Sequence, residues 1–103
     1  MYITNIRHLL DASAKMPEDM PKEARELIGF LTPIIDTTTK NLPHTLTTTD
    51  VRCFEKGCHG LIKTALMPNN EEIHWYCPHC ENEGIISDWK LTEWDNQGRK
   101  QTI

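Results

Sequence analysis

The stretch WYCPHCENEGIISDW, residues 75–89, decides how this chain folds, because its Cys77-Pro78-His79-Cys80 tetrapeptide has two incompatible readings. A redox dithiol requires a strand before the motif and a helix after it, whose N-terminus lowers the pKa of the first thiol. Here Glu81-Asn82-Glu83-Gly84 follows, and the chain runs on into Gly84–Trp89, which is β-rich and too short for such a helix. Glu81 and Glu83 add negative charge that disfavours a free thiolate. A dithiol would also leave the other two cysteines without a role. The tetrapeptide therefore reads as a metal-binding knuckle.

Those two cysteines are Cys53 and Cys58, so the full pattern is C-x4-C, eighteen residues, then C-x2-C. Two short loops each present a pair of thiolates, and a hairpin between them brings the pairs around one tetrahedral ion. Eighteen residues suffice for two strands of about six residues and a turn. GLIKTALM (60–67) and IHWYC (73–77) are the strands, PNNEE (68–72) is the turn, and GIISDW (84–89) supplies a third strand. Pro78 and Gly57 suit the tight loops, and Gly60 relieves crowding just after the first pair. The expected ligands are Cys53, Cys58, Cys77 and Cys80, holding one Zn2+ per chain. Rubredoxin-like iron accepts similar ligands, but zinc is the commoner occupant and one loop is irregular for iron. Four thiolates close the shell, which leaves no position for water or substrate and argues against hydrolytic chemistry. His59 and His79 flank ligands and read, like His8, His44 and His74, as ordinary surface histidines.

Upstream, residues 3 to 14 place Ile3, Ile6, Leu9, Leu10 and Ala14 at helical spacing. A second helix is expected over residues 21 to 38, where Ala24, Leu27, Ile28, Leu31, Ile34 and Ile35 form an apolar stripe. Pro33 either kinks this helix or separates it from a short second piece. Residues 37 to 50 carry seven threonines and no helical period, and read as a connector that becomes extended near Thr47. The expected fold is α+β: N-terminal helices packed on a C-terminal three-stranded antiparallel zinc ribbon of rubredoxin-like type. Its parts would be a helical region with connector (1–50), the ribbon (51–95) and a polar tail (96–103).

Charge restricts the partners. The chain has 11 basic and 15 acidic side chains and a formal charge of −4. Neither half is basic, with 5 basic and 7 acidic residues up to Val51 and 6 and 8 beyond it. Four thiolates on a divalent cation add a further −2, which weakens a nucleic-acid-binding reading. Trp75, Trp89 and Trp94 could stack on single-stranded bases; with Lys90 the only close basic residue, they read instead as lids over a thin ribbon. No signal peptide or bilayer-spanning run is visible, and four cysteines in a reducing compartment point to metal ligation, so a cytoplasmic location is expected. The resulting expectation is a non-enzymatic metal protein that binds another protein. A nucleic-acid-binding ribbon and a thiol/zinc redox sensor are the alternatives, and the two helical stripes leave room for a homodimer.

Trp75, Cys77, Cys80, Gly84, Ile86, Trp89, Thr92, Trp94 and Asp95 together make the pattern W-x-C-x-x-C-x-x-x-G-x-I-x-x-W-x-x-T-x-W-D, preceded by C-x-G-x-I at Cys58, Gly60 and Ile62. This resembles a group of small uncharacterised bacterial proteins with an N-terminal helical stretch and a C-terminal four-cysteine zinc ribbon. The resemblance is specific over residues 52 to 95 and loose over residues 1 to 50. It implies the metal site and no established activity. Glu81 stands where such knuckles often carry glycine.

Overall fold

The computed structural model describes residues 2–10, 19–42, 44–67, 71–90 and 92–96. Seven elements follow in order: β1 (Tyr2–Asn5), a 3-10 turn (Ile6–Leu9), α1 (Lys22–Lys40), β2 (Leu46–Arg52), β3 (Leu61–Leu66), β4 (Glu72–Tyr76) and β5 (Glu83–Ser87). The strands form one mixed sheet in the order β1-β5-β4-β3-β2.

The three strands expected around the cysteines are present as β3, β4 and β5, antiparallel throughout. The expected architecture is nevertheless wrong in two respects. Among the described residues the sheet has five strands, because the Thr-rich connector supplies β2, antiparallel to β3, and Tyr2–Asn5 supplies β1, parallel to β5. The described residues contain one α-helix, in the middle of the chain, in place of N-terminal helices. Residues 3 to 10 match a helical stripe, yet Ile6 is fully buried while Ile3 is 76% exposed. They do not share a face, and Tyr2-Ile3-Thr4, rich in β-forming side chains, pairs with Gly84-Ile85-Ile86 instead. Ala14, the turn at Pro68–Asn70 and residues 97–103 of the polar tail lie outside the described residues.

Strand β2 works because its threonines alternate. Thr47 and Thr49 are buried and Thr48 and Asp50 exposed, the period of two that a half-covered strand requires. Between Thr48 and Arg52 the register with β3 shifts. There Thr49 Oγ1 donates to the Ile62 carbonyl at 2.7 Å and accepts from the Val51 N–H at 3.1 Å, so the bulge leaves that amide satisfied. Beyond it Arg52 pairs with Leu61, which sets the base of the first cysteine loop.

Helix α1 runs unbroken through Pro33. Pro33 and Gly29, four residues earlier, are both exposed, so the carbonyl that loses its partner can turn to water. Ile28, Leu31, Ile34 and Ile35 are buried, and Leu31, Ile34 and Ile35 pack onto Ile62, Leu66, Ile73, Trp75 and Ile86 of the sheet. The buried helical threonines return their hydroxyls to the backbone: Thr32 Oγ1 donates to Ile28 O at 2.9 Å and Thr39 Oγ1 to Ile35 O at 2.8 Å. Thr38 Oγ1 lies 2.8 Å from Thr64 Oγ1 on β3, a polar contact inside the helix–sheet interface.

Trp75 and Trp89 are buried and Trp94 half-buried against the core. The C-terminal segment returns to the end of α1. Asn96, 4% exposed, donates through Nδ2 to Asp36 O at 3.0 Å and Asp36 Oδ1 at 2.9 Å, and its backbone N–H donates to Thr39 Oγ1 at 3.0 Å. Among the described residues, no helix is long and apolar enough to cross a membrane.

Candidate metal centre

Two sheet connections at the same end of the molecule carry the cysteines. Residues 53 to 60 link β2 to β3, and residues 77 to 82 link β4 to β5. Because β3 and β4 are adjacent, the two loops face one another. Each is closed by backbone bonds: Cys53 N–H to Gly60 O at 2.9 Å, Cys58 N–H to Glu55 O at 3.0 Å, and Cys77 N–H to Asn82 O at 3.0 Å. Gly57 adopts φ +83°, the left-handed backbone that the wider first loop needs to reverse. Among the described residues, Gly57 and Asp88 alone have positive φ, so the second loop turns without any such residue at Glu81. That is why glycine is dispensable there.

All four sulfurs, of Cys53, Cys58, Cys77 and Cys80, lie within 4.8 Å of one another. Cys53 Sγ is 3.6 Å from Cys80 Sγ, and Cys58 Sγ is 3.5 Å from Cys77 Sγ, so each of these pairs joins one loop to the other. A tetrahedral thiolate site with metal–sulfur bonds of about 2.3 Å has sulfur–sulfur edges of about 3.8 Å. The cluster fits that figure, and no two sulfurs are at disulfide distance, all four cysteines being free. The cysteines are therefore positioned to hold a metal ion.

The surroundings suit negative sulfur. Backbone N–H groups two residues on, from Gly60, His79 and Asn82, point at Cys58, Cys77 and Cys80 respectively. The Asn82 side chain reaches Cys53 Sγ at 3.8 Å. Such outer bonds orient ligands and stabilise their charge. Protons are shared unequally among the thiols. Burial pushes Cys77 up, but the His79 N–H and the Cys58 and Cys80 thiols outweigh it and bring it down to about 7. At Cys80 the Asn82 N–H pulls down, while burial and the three neighbouring thiols push it up to about 12. At Cys58 the Gly60 N–H also pulls down, yet Cys77, burial and Cys53 leave it raised.

Cys53 and Cys77 are buried and belong to the hydrophobic core, whereas Cys58 and Cys80 are half-buried. The latter two open onto a groove of about 610 Å³ that Lys56, His59 and His79 also line. Both histidines stand outside the sulfur cluster and are exposed, as expected for surface residues. Gly60 does relieve crowding, and the crowding comes from the opposite loop. A Cβ there would lie 2.7 Å from Cys77 Sγ, so only a residue without a side chain clears the cluster. Asn82 is the member of the site that sequence reasoning missed. Its place two residues after Cys80 was the available signal.

No family model, curated protein or solved structure matches the chain.

Proposed function

We propose that this chain is a non-enzymatic zinc protein of the cytoplasm, in which a four-cysteine site organises a sheet-and-helix module that binds another protein. The approach of four thiols to near-tetrahedral spacing carries the proposal. Zinc is the usual occupant of a closed four-thiolate shell in a compartment where thiols stay reduced. A closed shell supports a structural ion, and a structural ion supports a binding role over a catalytic one. The net charge of −4 favours a protein partner over nucleic acid. The same reading agrees with the resemblance of residues 52 to 95 to small bacterial zinc-ribbon proteins.

Two measurements test this. Elemental analysis of protein purified under reducing conditions is expected to give one zinc per chain, with cobalt substitution producing the visible bands of tetrahedral tetrathiolate coordination. A folded, reduced protein without metal would end the zinc reading. Affinity capture from the native host, with and without nuclease, is expected to retain a protein partner in both cases; loss of all partners on nuclease treatment would favour nucleic acid.

A further inference from the structure

The N-terminus of α1, strand β1 and the first cysteine loop meet around an open cavity of about 350 Å³. Tyr2, Phe30, Phe54 and Trp75 form its walls and Glu23 and Glu26 stand among its lining, with no basic residue among the described residues that line it. The rings hold one another in place. Phe54 is edge-on to Tyr2 at 5.4 Å and to Phe30 at 5.1 Å, and Tyr2 stacks on Trp75 at 6.0 Å. Trp75 is buried, while Tyr2 and Phe54 are 50% and 45% exposed. Two large aromatic rings thus stay open to solvent beside two carboxylates.

That combination selects a ligand class. Aromatic faces attract cations, most strongly where the cation is partly desolvated. The carboxylates add charge of the same preference. Glu26 is only weakly engaged elsewhere, its contact with Lys22 spanning 4.0 Å between largely exposed groups. A lysine or arginine offers an apolar stem for Leu27 and Phe30 and a charged head for the two glutamates. An acidic ligand would be repelled, and a neutral one would leave the carboxylates unmatched. The route in is also visible. Tyr2 and Thr4, alternate residues of β1, both line the cavity, and among the described residues β1 is an edge strand of the sheet. An extended segment laid along β1 presents every second side chain to this side.

We infer that the cavity receives an arginine or lysine side chain from an extended segment of a partner protein, whose backbone runs along β1. This rests on the interaction-module reading and gives it a surface and a chemistry.

The test uses the full, zinc-loaded chain and the capped peptide acetyl-Thr-Val-Arg-Val-Thr-amide, followed by shifts of the Trp75 indole and Phe54 amide resonances. Saturable binding with a Kd below about 1 mM is expected, and replacing arginine by citrulline, a neutral near-isostere, should weaken it at least about tenfold. The Glu23→Gln/Glu26→Gln double variant changes only exposed positions and should lose the preference for arginine over citrulline while its other resonances stay in place. Equal binding of citrulline or leucine peptides, shifts confined to another surface, or no binding up to about 1 mM would overturn the inference. Affinity capture separates it from the reading beneath it. A partner held equally by wild type and double variant would leave the module intact and remove this cavity as its docking site.

Discussion

Gly60 sits where any side chain strikes the sulfur cluster, since an added Cβ would lie 2.7 Å from Cys77 Sγ and from the His79 ring. Gly60→Ala is therefore expected to lower zinc affinity at least about tenfold, because ligands must sit within a few tenths of an ångström of ideal geometry; competition against a chromophoric chelator measures this, and unchanged affinity would refute the steric account. The thiols themselves set the pH response. Cys58, raised above its usual value, and Cys80, pushed up to about 12, hold their protons at pH 8, and a metal must displace both. Each displaced proton adds one tenfold step per pH unit, so apparent zinc affinity should rise at least about a hundredfold per unit between pH 6 and 8. The slope should steepen below pH 7, where Cys77 regains its proton. A pH-independent affinity would contradict this. At the residue scale the convergence of the four cysteines was legible, because their spacing is local: two loops of four and two intervening residues and an intervening hairpin bring all four together. Gly60 was legible as a point of crowding, but the thiol it must clear belongs to the opposite loop. Asn82 was hidden for the same reason, since its side chain serves Cys53 across the site.

Elements were legible in proportion to how locally their reasons lie. Strands β3, β4 and β5 follow from runs of apolar and β-branched residues between turns, and α1 from its stripe. Strand β1 depends on a partner at the far end of the chain. Four residues carry too little pattern to outweigh Ile3, Ile6 and Leu10, whose spacing matches a helix. The position that admits β1 is Gly84, where a Cβ would come within 2.5 Å of the Tyr2 carbonyl oxygen and 2.6 Å of the Trp75 ring. Gly84→Ala should thus loosen β1 first and cost about 1–3 kcal/mol as the ring is displaced. Hydrogen exchange at Ile3 and Thr4 is expected to accelerate more than exchange in β3; equal acceleration in both would place the strain elsewhere. Helix α1 shows the reverse case, in which a sequence-level warning was overridden. Gly29 and Pro33 face water, so their cost is tolerated by the buried row on the other side. Leu27, counted in that row from the sequence, is 38% exposed and belongs to the aromatic cavity instead.

At the scale of the whole molecule, Cys53 and Cys77 are core residues as well as candidate ligands, packed in one cluster with Leu31, Ile35 and Trp75. A metal held by these cysteines would therefore share the fate of the hydrophobic core. A structural zinc contributes on the order of ten kcal/mol, comparable to the total stability of a small domain. Chelation, or Cys77→Ser, should abolish the β signal and most of the helical circular dichroism in one transition; a helical signal that persisted with its own melting temperature would show α1 to be held by something other than this sheet. The parallel pairing of Tyr2–Asn5 with residues 84–87 carries a further consequence, in time rather than in energy. During synthesis β1 leaves the ribosome before β5, the neighbour it needs, because Tyr2 pairs with Gly84. Hairpins β2–β3 and β3–β4 close over short distances, and the closure that joins Tyr2 to Gly84 is slow by comparison. The two cysteine loops can thus meet while residues 2 to 9 are still undocked. Substitutions at Thr4 or Ile6 should accordingly speed unfolding and leave the folding rate nearly unchanged, the mark of a segment that arrives after the rate-limiting step.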